Sequence, residues 1–154
     1  RNMRRILVMG LPQNGKTWIA SHIGKKFSIP HWDADVVRNI YNDWDFSEEG
    51  RIRQAFRMHN LSCLNPISIS SFICPTEETV RIFDPEVIIW MDKIPSSIYE
   101  DTNKTFEQPI NYDVRITKWI DKNQLSKCLD DINHGMTDIQ SFLNELIVKL
   151  GKLQ

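Results

Sequence analysis

The sequence predicts an α/β fold, a parallel sheet of about five strands between two layers of helices, with a further helical segment at the C-terminal end. Two observations predict it. Short apolar bursts rich in β-branched residues alternate with stretches whose apolar residues recur at helical spacing, the pattern of right-handed βαβ units that bury a sheet on both faces. The first burst also runs into a glycine-bounded loop, "GLPQNGKT", which opens the first helical stretch. At 154 residues and 41% hydrophobic the chain can build one core. A single domain over 1–154 is expected, with a sheet-bearing part at 4–118 and a helical segment at 119–154.

Each element has its own signal. "RRILVMG" is an apolar burst ending in Gly10 and reads as a strand, and "KTWIASHIGKKF" carries Ile19, Ile23 and Phe27 at helical spacing. "IPHWDAD" gives a short second strand. "ADVVRNIYN" and "SEEGRIRQAFRMHNL" read as helices, the latter opened by Ser47 with acids in its first turn. "PISISSF", "EVIIWMD" and "YDVRIT" supply three more strands by alternation or continuous apolar character. Beyond "ITKWIDKN", "QLSKCLDDI" and "TDIQSFLNELIVKL" read as amphipathic helices separated by the breaker Asn133–His134–Gly135. Leu125, Leu129 and Ile132 form one stripe, and Ile139, Phe142, Leu143, Leu146 and Leu150 another. These stripes are expected to pack on the sheet or on each other, with a homodimer surface as the alternative. Trp32, Trp90 and Trp119, in or beside strands, are expected in the core.

Composition excludes several classes. Nineteen basic residues against twenty acidic ones leave a net charge of -1, so nothing global points to a nucleic-acid partner. Cys63, Cys74 and Cys128 include no C-x-x-C pair, and His22, His31, His59 and His134 have no metal-ligand spacing. No apolar run approaches a membrane span and no signal-peptide pattern is visible, so a cytoplasmic protein in a reducing compartment is expected.

"GLPQNGKT" fits G-x-x-x-x-G-K-[ST], the Walker A phosphate loop, at every fixed position. The fold class is therefore a P-loop NTPase three-layer sandwich of the nucleoside or nucleotide kinase type. Backbone N–H groups from Gly10, Leu11, Pro12 (which has none to give), Gln13, Asn14 and Gly15 onward would line the phosphates of ATP, with the helix N-terminus behind them. Lys16 adds a mobile charge, and Thr17 would hold Mg²⁺ through its hydroxyl. Trp18, in the first helical turn, reads as a packing residue under the loop before a base-stacking one. "WDADVVR" places Asp33 and Asp35 beyond the second strand, where open α/β sheets bind ligands. Two acids there can serve a metal-bound water and an acceptor hydroxyl, the needs of phosphoryl transfer.

In order and spacing, "GLPQNGKT", "WDADVVR", "FSEEGRIRQAFR" and "SISSFICP" resemble the adenylylsulfate kinases, which phosphorylate the 3′-hydroxyl of adenosine 5′-phosphosulfate. Asp33, Asp35, Arg38, Asn42, Phe46, Ser47, Glu48, Arg51 and Arg57 fall on the family pattern, with one residue deleted between Asn42 and Phe46. The resemblance implies Lys16, Asp33 and Asp35 as the catalytic groups, with Asp33 and Thr17 toward the metal. It implies Arg38 and Arg51 on the sulfate and phosphate of a small nucleotide acceptor and Phe46 on its adenine. Asn42 and Gln54, which stands where the family has Asn, would be further contacts. Ser71 and Phe72 fall on the strand end beside the acceptor. "NKTF" puts Lys104 and Phe106 on a shortened remnant of another acceptor-binding segment. Arg53 and Arg57 add further forked donors close in sequence.

Three departures stand out. Acids replace the family's arginines after "ICP", leaving only Arg81; "KIPSSI" is too short for the cationic lid helix; and "NLSCLNPISIS" is about one turn short. Such reduced kinases are similar to phage-encoded relatives. Another nucleotide, nucleoside or nucleic-acid hydroxyl as acceptor, or a nucleotide-binding interaction protein with little turnover, remain open alternatives. Lys104 or Arg81 would be the compensating cation.

Overall fold

The structure is a computed structural model of the chain and describes residues 4–132 and 138–154. The breaker at Asn133–Gly135, His134 included, lies outside the described residues. Five parallel strands form one sheet in the order β2-β3-β1-β4-β5: β1 (Arg4–Met9), β2 (His31–Asp33), β3 (Ile67–Ser71), β4 (Val87–Met91) and β5 (Val114–Ile116). The central strand β1 is buried along almost its whole length because its period of two serves two cores at once. Ile6 and Val8 enter a cluster with α1 (Lys16–Phe27), α6 (Lys122–Asp130) and α7 (Ile139–Gly151). Leu7 and Met9 enter the opposite cluster with α2 (Ala34–Tyr41), α3 (Glu48–Ser62) and α4 (Glu77–Phe83). This is the expected three-layer sandwich.

The two C-terminal stripes are spent inside the chain except for Ile139, which is 37% exposed at the start of α7. Leu125, Leu129 and Ile132, with Leu143, Leu146 and Leu150, are buried in the α1 side of the core, and Phe142 packs edge-on against Phe27. Packing thus accounts for them without a partner. Ser47 caps α3 by accepting from the Gly50 N–H, as its position ahead of two acids predicts.

One expectation is corrected, and two helices appear that the sequence pattern does not assign. "EETVRIF" is a helix, α4, opened by a capping box between Thr76 and Thr79 that has Thr where the usual pattern has Glu or Gln. "EDTNKT", read as part of a loop remnant, is the short helix α5 (Glu100–Thr105). Trp119 is not core: it is 67% exposed, because the chain turns outward after β5 toward the capping box of α6.

Candidate functional site

The loop between β1 and α1 sits at the carboxyl end of the central strand. Gly10 has φ of 143°, and a Cβ there would stand 2.3 Å from the Met91 carbonyl oxygen, so no other residue lets β1 leave the sheet beside β4. Gly15 caps α1 in the left-handed region at φ of 79°, with no side chain bonded to the first turn, so the helix N-terminus is left bare for an anion. Asn14 points inward rather than at a ligand. Its amide donates to the Leu11 carbonyl at 3.0 Å, while its oxygen accepts from the backbone N–H of Lys93 at 2.8 Å and of Ile94 at 3.2 Å. The side chain closes the loop and ties it to the segment after β4.

Lys16 donates to the same Leu11 carbonyl at 2.8 Å. Burial pulls its pKa down from 10.5 to about 8, with Asp35 and then Asp33 opposing the shift. Desolvation of the ammonium thus outweighs the attraction of the two acids.

β2 delivers Asp33 to the N-cap position of α2, yet its carboxylate does not cap the helix. It turns to the loop instead: Thr17 Oγ1 donates to Oδ1 at 3.3 Å and Ser71 Oγ lies 3.5 Å from the same atom. Ser71 Oγ is also 2.8 Å from His31 Nε2. A serine that donates to Asp33 requires His31 to carry its proton on Nε2, and burial keeps this imidazole below its usual pKa, with Asp33 opposing. Asp35, one residue into α2, is exposed and faces the same cavity.

That cavity measures about 890 Å³. Its lining includes Gln13, Gly15, Lys16, Thr17 and Trp18, the acids Asp33 and Asp35, and Arg38, Trp44, Phe46, Arg51, Gln54 and the β3 end from Ser71 to Pro75. Arg38 and Arg51 are 4% and 6% exposed. Arg38 donates to the carbonyls of Asp43 and Asp45, and Arg51 donates to the Phe46 carbonyl at 2.8 Å and to Thr102 Oγ1 at 2.9 Å. Their guanidinium carbons lie 4.3 and 5.5 Å from the Phe46 ring centroid. Among the described residues neither forms an ion pair. Gln54, 3% exposed, donates to the Ala34 carbonyl, and its Oε1 is buried without a partner. Two buried cations with no carboxylate in ion-pair contact, although Asp43 and Asp35 act on Arg38 and Asp101 on Arg51 from farther off, and an orphan acceptor make a surface that an anionic ligand bearing an N–H or O–H group would complete.

Several expected contacts fall elsewhere. Asn42 is exposed and ends α2 in the left-handed region at φ of 49°, outside the cavity lining. Lys104 is exposed in the last turn of α5, and Phe106 packs half-buried against the α3 side of the core, because α5 turns Tyr99 and Thr102 to the cavity instead. Leu11, like Asn14, lies outside the lining; it gives its carbonyl to the loop's own bonds. Arg53 and Arg57 are consumed by Asp43, at 2.7 Å each, which holds that carboxyl well below its usual range through the Arg53 and then the Arg57 hydrogen bonds. Trp18 does both jobs, lining the cavity and packing against the core and His22. Cys74 is fully buried with its thiol pushed up to about 12 by desolvation, hence unreactive. Arg81 is exposed and outside the lining. Thr102 and Tyr99 were missed because a threonine and a tyrosine in an unread six-residue helix carry no pattern. Trp44 lines the cavity, as its place in the acceptor segment suggests.

No protein-family model matches the sequence, and no curated protein does either. Solved structures do match. The APS kinase CysC of Mycobacterium tuberculosis, determined in complex with AMPPNP and APS, is 18% identical, with 84% of this chain and 96% of that chain covered at a TM-score of 0.69. A gluconokinase from Sinorhizobium meliloti 1021 is 13% identical over 99% of this chain and 94% of that one at 0.58. A sugar kinase from Janibacter sp. is 16% identical over 74% and 83% at 0.57. No helix among the described residues is long and apolar enough to cross a membrane. At these identities the likeness shows the fold alone, a five-stranded parallel sheet between helices shared with these kinase structures.

Proposed function

We propose that this chain is a Mg-ATP-dependent phosphotransferase acting on a small anionic nucleotide, with adenosine 5′-phosphosulfate as its acceptor. The observation that carries the reading is the pair of buried, unpaired guanidinium groups of Arg38 and Arg51, facing the phosphate loop across a cavity that also holds Asp33 and Asp35. Arg38 and Arg51 receive the phosphosulfate, a dianion matched by forked donors. Gln54 Oε1 accepts from an amine or hydroxyl of the acceptor, and Phe46, capped by Arg38 on its ring, offers the aromatic surface for the base.

The donor side suits a metal-bound polyphosphate. Thr17 and Asp33, 3.3 Å apart at the bare N-terminus of α1, are the oxygen groups that would hold Mg²⁺, directly or through water. Bound there, the ion would supply charge neutralisation on the transferring phosphoryl group. Lys16 swings from the Leu11 carbonyl onto the phosphates. Asp35 orients the acceptor hydroxyl and takes its proton as that oxygen bonds to the γ-phosphorus, the bond to the bridging oxygen breaks and ADP leaves.

The test is ADP release from Mg-ATP with and without adenosine 5′-phosphosulfate, in the wild type, Asp35→Asn and Arg38→Ala. Stimulation by the acceptor, lost by about 10² or more in Asp35→Asn and strongly reduced in Arg38→Ala, is expected. Nucleotide binding without stimulation sinks the acceptor assignment. A second reading, another nucleotide or nucleoside acceptor, is favoured by one feature: the segment from Asp92 to Ile98 is too short for a lid helix and leaves the cavity open to larger molecules. A panel of nucleoside monophosphates in the same assay separates the two.

A further inference from the structure

We propose that Lys93 is the cation that closes over the polyphosphate of the bound nucleotide in place of a lid, and that Trp119 holds its ammonium beside the loop until the nucleotide arrives. The proposal rests on the reading of "GLPQNGKT" as an ATP site. It starts from a deficit: a polyphosphate carries more charge than Lys16 alone can meet, and the other candidate cations are elsewhere. Lys104 and Arg81 are exposed, on α5 and α4 rather than beside the phosphate loop. Arg53 and Arg57 are held by Asp43, Arg115 by Asp92 and Lys26 by Asp130.

Lys93 is different. β4 ends with the Met91 carbonyl against Gly10, and two residues later Asn14 grips the backbone N–H of both Lys93 and Ile94. The lysine's main chain is thereby pinned to the phosphate loop by a side chain that is 1% exposed, and only its four-carbon stem is free to move. A Cβ placed on Gly15 would stand 2.7 Å from Lys93 Nζ. The ammonium thus lies against the residue whose N–H, with those of Lys16 and Thr17, opens the helix where an anion binds.

The ammonium rests 3.6 Å from the centroid of the Trp119 ring. A cation held on an exposed indole is weakly held. Desolvation lowers the pKa of Lys93, and an arriving polyanion would oppose that shift. The exchange is of one partner for another: the N–H groups leave the ring face and take up phosphate oxygens. The same arrangement accounts for an indole that is 67% exposed and packs into neither core cluster.

The experiment measures binding of Mg-AMPPNP and of AMP by calorimetry, together with tryptophan emission and melting temperature, in the wild type, Lys93→Ala, Lys93→Arg, Trp119→Ala and Lys16→Ala. Lys93→Ala should weaken AMPPNP by about tenfold or more while AMP, which lacks the outer phosphates, changes little; Lys93→Arg should recover most of the loss. Emission should shift on AMPPNP binding in the wild type, and the shift should vanish in Trp119→Ala. AMPPNP binding unchanged in Lys93→Ala but lost in Lys16→Ala overturns the role of Lys93 and leaves the ATP site standing. Equal weakening in Lys93→Ala and Lys93→Arg with lowered melting temperatures makes Lys93 structural and also overturns it. No AMPPNP binding by the wild type removes both readings.

Discussion

Lys16 shows how a residue proposed to bind phosphate works against the fold that carries it. Its ammonium is buried, bonded to one carbonyl and depressed from 10.5 to about 8. The sign follows from proton counting: between pH 8 and 10.5 the unfolded chain holds this proton and the folded chain does not, so this group makes stability rise with pH across that window, and its penalty is fully present below it. Lys16→Met should therefore stabilise the nucleotide-free protein at pH 7 by roughly 1–3 kcal/mol while abolishing ATP binding. The Leu11 carbonyl is not orphaned by that change, because Asn14 also donates to it. Chemical denaturation of both proteins checks the gain; a loss of stability would mean that the lysine is satisfied where it lies. In the wild type, ATP affinity should fall as pH rises above about 8, since binding must then restore the proton, by up to about tenfold per unit.

At the scale of elements, α5 and α7 give opposite lessons. α7 was legible because five apolar residues at helical spacing demand a partner, and Leu143, Leu146 and Leu150 found it in the α1 side of the core. Leu146→Ala should cost about 2–4 kcal/mol in urea unfolding. Val148→Ala, two residues on and 53% exposed, should cost less than about 0.5. Equal effects would show that α7 packs on another face. α5 was not legible, since six residues hold too few turns for a period, and the same brevity hid Thr102. Yet Thr102, 6% exposed, supplies the oxygen that fixes one arm of Arg51. Thr102→Val keeps the shape and removes that acceptor, so it should raise the KM for the acceptor several-fold and leave the KM for ATP unchanged. A change confined to ATP would detach α5 from the acceptor side. The phosphate loop and the two acids could be picked out because their chemistry fixes spacing, whereas Arg38 and Arg51 were singled out by the resemblance to the adenylylsulfate kinases. Which arginines stay unpaired was not readable, because it depends on Asp43 folding back onto Arg53 and Arg57.

At the scale of the whole molecule the phosphate loop divides the site. The cavity with Arg38, Arg51 and Gln54 lies to one side of it, and the Lys93–Trp119 pair, which does not line that cavity, lies by Gly15 on the β4–β5 side. Donor and acceptor can then be held together with the γ-phosphate between them, the arrangement in-line transfer requires. Initial-rate patterns should intersect, as for a ternary complex, and ADP–ATP exchange without acceptor should be absent; parallel lines would sink this geometry. Openness has a consequence of its own. A lid helix excludes water, and the segment from Asp92 to Ile98 forms none. Water can reach the γ-phosphate when the acceptor site is empty, so acceptor-independent ATP hydrolysis should be measurable and should fall as acceptor saturates the cavity. Hydrolysis that instead stayed undetectable without acceptor would show that another part of the chain covers the nucleotide, and that the short connection after β4 is not the reason this site differs from a lidded kinase.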